Sequence, residues 1–432
     1  MTMRKNGNLV AIITMIFLFG MISFVTNLAA PIGVIWKQQP GIDGSNALGM
    51  MGNMMNFLAY LFMGIPAGRL ITRIGYKKTA LLAVAIGFFG VLIQFLSGIV
   101  GTGSTLAGLP ANWFIYLFGA FVAGFSVCIL NTVVNPMLNL LGGGGKKGNQ
   151  LVQIGGTFNS LMGTITPMFV GALIGAVTKD TVITDVNTVM FIAMGVFLFT
   201  FIILAFVPIE NPQSSSEGGP VESPWKYRHF VFGVIAIFLY VGVEVGIPGT
   251  LNFYLSDPNG GAGLDPETAA ATAGFVAGTY WLLMLVGRFI SSFISGVVSS
   301  RVQLSVAAAV AAVLILSAMF IPSTVVTSMP VFKGSGFGIE QVPLSALLLV
   351  LCGLCTSVMW GTIFNLAVEG LGSATALASG AFMMMVVGGG VLPLLQNAIA
   401  DAAGYMVSYW VIVVAVLYIF WYAALGSKVR TA

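Results

Sequence analysis

Residues 230–255 read FVFGVIAIFLYVGVEVGIPGTLNFYL, an apolar run interrupted by a single charge, Glu244. As a helix rising about 1.5 Å per residue it extends about 39 Å, more than the roughly 30 Å hydrocarbon core of a bilayer. Working outward, similar runs precede it at 10–36, 48–71, 80–99, 113–141, 151–177 and 189–207. Others follow at 269–298, 304–321, 344–368, 374–400 and 405–425. Of the 432 residues 58% are hydrophobic and 7% are charged, whereas soluble domains carry roughly 25% charge. Too few charges remain to hydrate a surface, so the chain is expected to be an all-α integral membrane protein with twelve transmembrane helices. The first run is too long for a signal-peptide core and lacks a small-x-small cleavage site before a polar start, so it is kept as a helix.

Basic residues accumulate on the cytoplasmic side of membrane proteins. With both termini inside, 13 of the 17 Lys and Arg residues fall on that side, from Arg4 and Lys5 through Arg69, Arg73, Lys77 and Lys78 to Lys428 and Arg430. Lys37, Lys179 and Lys333 fall outside, together with acids that include Asp257 and Asp401, and Arg288 lies within a span. The net charge of +4 is therefore a topology signal and calls for no nucleic-acid partner. The polar stretch at 209–229, rich in Pro, Ser and Gly, reads as a cytoplasmic linker between residues 1–208 and 230–432, with six spans on each side. An even division invites a search for an internal repeat. Thr132, Asn135, Leu141 and Gly142 recur at a constant offset of 230 residues as Thr362, Asn365, Leu371 and Gly372.

The runs Met359-Trp360-Gly361-Thr362-Ile363-Phe364-Asn365, Gly370-Leu371-Gly372 and Gly388-Gly389-Gly390-Val391-Leu392-Pro393 resemble the fucose–galactose–glucose:proton symporter branch of the major facilitator superfamily. Pro66-Ala67-Gly68-Arg69-Leu70, the basic run from Arg73 to Lys78, Asn135-Pro136, Thr157-Phe158-Asn159-Ser160 and Gly287-Arg288-Phe289 extend the resemblance over both halves. The resemblance implies two six-helix bundles around a central cavity and alternating access by rocking. It also implies an acid near Asn27 and another at Asn131, used for proton coupling and sugar binding. Here both positions are amides, which still hydrogen-bond sugar hydroxyls but do not titrate. Proton symport therefore does not carry over with the fold.

A sugar needs amides, hydroxyls and aromatic faces set in an apolar wall. Polar groups in mid-span are expensive unless partnered, which makes them informative. Asn27, Asn56, Tyr60, Asn131, Asn135, Asn159, Trp360, Asn365 and Gln396 are the candidate substrate ligands, with Asn53, Asn252, Tyr280 and Asn397 as further possibilities. For each, the plainer alternative is a hydrogen bond that ties neighbouring helices together. Glu244 is the one acid plainly inside a span, with Tyr240 one turn before it. It is a candidate coupling residue or sugar ligand, or else an anchor bonded to hydroxyls or to backbone near Pro248. Arg288 is expected to pair with the cytoplasmic gate.

Other patterns point to no chemistry. Gly142–Gly145 before Lys146 and Lys147 lacks the strand and the Ser or Thr of a phosphate loop. Cys352 and Cys355 have redox spacing within an apolar helix and read as packing thiols. His229 is the single histidine, and no metal cluster accompanies it. Met383–Met385 and the 55 glycines read as helix-packing surfaces. A membrane enzyme needs clustered catalytic groups, and a channel needs charged rings or filter loops; neither pattern is present. The expected function is secondary transport of a hexose-class monosaccharide across the cytoplasmic membrane by a monomer without a cofactor. Three issues stay open: a co-transported sodium ion or proton, uniport without coupling, and export of drugs or metabolites.

Overall fold

The computed structural model describes residues 2–142, 145–175, 177–178, 180–207, 223–257, 261–294, 297–332, 337–371 and 374–429. Most of the expected linker at 209–229, residues 143–144 of the glycine turn, Lys179, Lys333 and Arg430 lie outside the described residues. Among them, 11 helices are long and apolar enough to cross a membrane. The first part comprises α1 (Thr2–Lys37), α2 (Asn46–Leu96), α3 (Ala111–Leu141), α4 (Gly145–Ile174) and α5 (Asn187–Phe206). The second comprises α6 (Arg228–Ser256), α7 (Ala269–Ile294), α8 (Ser300–Phe320), α9 (Leu344–Thr356), α10 (Met359–Val368), α11 (Thr375–Met385), α12 (Gly388–Ala403), α13 (Tyr405–Ser408) and α14 (Trp410–Trp421). Helices α9 and α10 follow each other within one span, Leu344–Val368. Prolines sit inside α1, α2, α3, α4, α6 and α12. Membrane helices tolerate them because neighbouring helices re-satisfy the freed backbone groups.

The second and third apolar runs belong to one continuous element, the 51-residue α2, with a non-helical residue at Gly75 (φ 81°, ψ 168°). Only glycine takes that conformation without strain. The packing of α3 shows what the bend does. A side chain added at Gly52 would meet Tyr116, and one at Gly124 would meet Asn56 and Ala59. Beyond the bend, Gly90 faces Ala123 and Gly119 faces Gln94. Numbers on α3 thus rise along the first arm and fall along the second, so the chain reverses at Gly75 and both arms lie beside α3. The connection expected between these runs is a one-residue corner.

Large apolar side chains such as Phe118, Phe199, Val313 and Val414 are exposed on the outside of the bundle. Lipid is the solvent that accepts them, while the backbone is satisfied within the helices. With hydrocarbon outside, helices gain by close packing, which favours small residues where they cross. Accordingly, an added Cβ on Gly171 of α4 would lie 2.6 Å from the carbonyl oxygen of Ala270 on α7, and one on Gly278 would lie 2.5 Å from that of Thr164. The first five helices pack among themselves, as do those from α6 onward. Contacts between the two sets run through α4 with α7, α2 with α11 and α12, and α1 with α6. Two antiparallel hairpins complete the fold: β1 (Thr105–Leu106) with β2 (Leu109–Pro110), and β3 (Val326–Phe332) with β4 (Phe337–Pro343).

Candidate functional site

A cavity lies between the two sets of helices. Asn27 and Ala30 of α1, Asn53 of α2, Pro167 of α4, Asn252 of α6 and Trp281 of α7 line it. The local sequence explains why polar groups survive there. Asn27 spends its amide nitrogen on the Ser23 carbonyl oxygen one turn back (2.9 Å) and on Ser23 Oγ (3.1 Å). Its carboxamide oxygen takes part in neither bond. Asn53 Nδ2 donates across the cleft to the Gly389 carbonyl oxygen of α12 at 2.8 Å. Pro167 and Pro248, both in the lining, lie inside α4 and α6 and each removes a backbone donor there.

One end of the cleft is sealed by charge. About 15 Å along α1 from Asn27, Lys37 Nζ donates to Asp257 Oδ2 at the end of α6 and to Tyr405 Oη of α13, both at 2.7 Å. Tyr405 Oη lies 2.7 Å from both Asp257 Oδ2 and Asn46 Oδ1, and its single proton serves one of them at a time. Beside it, Asp401 of α12 accepts from Ser45 Oγ (2.8 Å) and from the backbone N–H groups of Asn46 (2.6 Å) and Ala47 (2.9 Å). These are the first turn of α2, where unpaired donors and the helix dipole favour an anion. Every bond from the first set of helices to the second in this group crosses the cleft.

A second charged group sits further along. Glu244 Oε1 accepts from Tyr240 Oη at 2.9 Å and faces Arg288 Nη2 at 3.7 Å. Arg288 Nη1 donates instead to α4, to the Gly156 carbonyl oxygen (3.2 Å) and to Ser160 Oγ (3.0 Å). Arg288, expected to pair with the cytoplasmic gate, thus faces the intramembrane acid and also bonds α4 of the opposite set of helices. An uncompensated charge is costly in hydrocarbon, and the pairing joins the acid and the cation that the sequence places within apolar runs. The ring of Trp360 packs on Tyr240 at 6.2 Å between centroids, tying α10 to the same group.

The other predicted ligands divide among different surroundings. Asn131 Nδ2 donates to Tyr60 Oη at 2.6 Å, and Asn135 Nδ2 returns to the Asn131 carbonyl oxygen at 3.1 Å, both inside the first set of helices. Asn159 Nδ2 ties α4 to the Phe19 carbonyl oxygen of α1 at 2.7 Å. Asn56 lines a separate small cavity with Gln94 and Tyr116, and its Oδ1 is buried without a hydrogen-bond partner among the described residues. Gln396 is fully buried against Gly246 of α6, with both amide atoms unpaired among the described residues. Asn365 is exposed. Among the predicted ligands Asn27 lines the cavity between the sets, together with Asn53 and Asn252 from the further possibilities. Trp281, Lys37, Asp257, Asp401 and Tyr405 were missed as site residues. Their signal was positional, since Lys37, Asp257 and Asp401 each stand at the end of an apolar run.

Residues 12–393 match the Major Facilitator Superfamily. The chain is 31% identical over 380 residues to a glucose/galactose transporter of Brucella abortus biovar 1 (strain 9-941), covering 86% of this chain and 84% of the relative. It is 22% identical over 375 residues to the L-fucose-proton symporter of Escherichia coli (strain K12), covering 81% and 77%. In fold it is similar to the crystal structure of the E. coli fucose:proton symporter (TM-score 0.66, 19% identity, 98% of this chain and 100% of that one). It is also similar to the inward-open xylose transporter of E. coli (TM-score 0.70, 12% identity, 98% and 97%).

Proposed function

The chain belongs to the Major Facilitator Superfamily, a membrane transporter family, and from that premise we propose that it carries a hexose-class monosaccharide by alternating access. In this reading α2 counts as two spans, which brings the total to twelve. Residues 1–208 and 230–432 are two six-helix bundles joined by the linker at 209–229. The carrier is a monomer in the cytoplasmic membrane with both termini inside. The sealed end, with its acids and Lys37, then faces out, and the basic corner at Arg69, Arg73, Lys77 and Lys78 faces in.

The observation that carries the proposal is the cavity between the sets of helices, where amides from both and an indole face stand in an apolar wall. Amides donate and accept, as vicinal hydroxyls require, and Trp281 offers a flat face to a sugar's C–H groups. The names of the relatives supply the sugar class. A lipophilic drug has no need of three amides, which disfavours the exporter.

Coupling to a cation runs through Glu244, because positions 27 and 131 hold amides. Uniport is the second reading, favoured by one observation: Arg288 already compensates Glu244, so the pair crosses the cycle without a cation from outside. The deciding experiment is counterflow of labelled glucose and galactose in proteoliposomes, followed by uptake under imposed sodium or proton gradients. Exchange of a lipophilic cation with no exchange of any hexose would hand the function to the exporter. Exchange of hexose with no accumulation under either gradient would make the protein a uniporter.

A further inference from the structure

The geometry around Arg288 goes beyond pairing an acid. In a site of low dielectric a guanidinium and a carboxylate draw together into short, often bidentate contacts of about 2.7–2.9 Å. Here the closest approach is 3.7 Å, outside hydrogen-bonding range. The guanidinium is held off by its bonds to Gly156 and Ser160. Arg288 and Glu244 belong to helices of one set, α7 and α6, whereas Gly156 and Ser160 belong to α4 of the other. Helices α4 and α7 meet along a seam of small residues, with Gly171 against Ala270 and Gly278 against Thr164. Met168 against Gly278 and Trp281 against Gly163 are the large side chains seated on its glycines.

We propose that Arg288 is a positioning residue shared between the two halves, whose grip on α4 decides whether Glu244 is closed by an internal ion pair or open to a small monovalent cation. This deepens the carrier function proposed above and rests on it. In the arrangement seen here α4 holds the guanidinium, and Glu244 keeps only Tyr240 as a hydrogen-bonded neighbour among the described residues. When α4 shifts along α7, the Gly156 and Ser160 bonds are lost, the guanidinium falls onto the carboxylate, and any cation there is displaced. Charged or titratable groups around Glu244 are Tyr240 on its own helix, and Arg288 and Tyr280 on α7. Tyr280 Oη is engaged with Thr356 Oγ1 of α9 at 2.8 Å, and α10 and α12 present Trp360 and Gln396, which do not titrate. The fork geometry of arginine is required, because an ammonium on a flexible stem does not hold two partners on one side and a carboxylate on the other.

The test is a reporter that needs no sugar. An added side chain at Gly361, next to Trp360, meets open space, and Cys128, Cys352 and Cys355 are buried. A Gly361→Cys variant of the full chain in proteoliposomes is labelled with a maleimide, with and without sodium at fixed pH, and across pH without sodium. The labelling rate is expected to change several-fold with one of the two cations, which also distinguishes sodium from the proton. Adding Ser160→Ala frees Arg288 to close on Glu244 and should weaken the apparent affinity for that cation about tenfold, the loss of one hydrogen bond to a charged group. Ser160→Thr, which keeps the hydroxyl, should restore it. Glu244→Gln should abolish the response, and Arg288→Lys should fail to rescue.

A response that Ser160→Ala leaves unchanged, or no response to either cation in the parent, overturns the proposal. Hexose counterflow in the same vesicles tests the carrier reading separately. Loss of counterflow with the labelling pattern intact removes the sugar and leaves the role of Arg288 standing.

Discussion

The sealed end of the cleft offers the most direct perturbation. In Asp401→Asn the acceptor shape is kept and the charge is removed. Three donors at the N-terminus of α2, Ser45 Oγ, Asn46 N and Ala47 N, converge on that carboxylate. Hydrogen bonds to a charged group contribute about 1.5–3 kcal/mol against about 0.5–1.5 for neutral ones. An anion at a helix N-terminus adds about 0.3–1 kcal/mol. Asp401 is exposed, so solvent screens much of this, as it does for surface pairs. A net loss of about 1.4 kcal/mol is expected, which shifts the balance between sealed and open forms roughly tenfold. The assay uses Ala30→Cys, which lines the cavity, and a membrane-impermeant maleimide added from outside. Asp401→Asn should raise its labelling rate about tenfold while labelling from inside falls. If outside labelling stays as slow as in the parent, the group around Asp401 does not hold the cleft shut. If inside labelling rises instead, the assigned orientation is inverted.

Other expectations follow from the same geometry. Lys37→Met leaves Asp257 without its cation in a site where both side chains are almost inaccessible, and it should destabilise the fold by about 3–5 kcal/mol. Adding Asp257→Asn should recover much of that loss in thermal unfolding, and no recovery would show that the pair is not the cause. Asn131→Ala and Asn159→Ala, each tested singly, should weaken hexose uptake between a few-fold and about tenfold while insertion persists; unchanged kinetics in both would show that their bonds to Tyr60 and Phe19 do not bear on transport. Gly278→Val places a branched side chain where Cβ already approaches the Thr164 carbonyl oxygen to 2.5 Å, so overpacking of about 1–3 kcal/mol is expected together with loss of transport. Transport at the parent rate would show that α4 and α7 do not bear on each other during the cycle.

What the sequence revealed and what it withheld follow a physical line. Apolar length is a property of a segment alone, so the spans were legible, and the basic run from Arg69 to Lys78 marked the corner between two of them. The β3–β4 hairpin was not anticipated, since the sequence reading treated the stretch from Val326 to Pro343 simply as a connection. Asn27 was legible as a cavity residue because an amide in the middle of an apolar helix has few other uses. Asn56 carries the same signal yet faces a small cavity inside one set of helices, because helix rotation is fixed by packing and not by composition. Glu244 was conspicuous, but its partner lies 44 positions away on another helix, and nothing local to Arg288 names it. Lys37, Asp257 and Asp401 looked like ordinary charges at helix ends, since only the packed structure brings those ends together.

The corner at Gly75 bears on how the protein is made. A nascent chain presents Asn46 to Leu96 as one hydrophobic stretch whose two arms reverse direction once a single glycine takes its left-handed conformation. Arg69, Arg73 and Lys78 are exposed around that corner, and Lys77 caps the Ala205 carbonyl oxygen at the end of α5. Four cations at the tip resist being dragged through hydrocarbon, so the arms enter the bilayer as a pair with the tip held on one side. Their orientations are then inherited jointly: no single arm is able to invert without its twin, and an error in threading is confined to the pair.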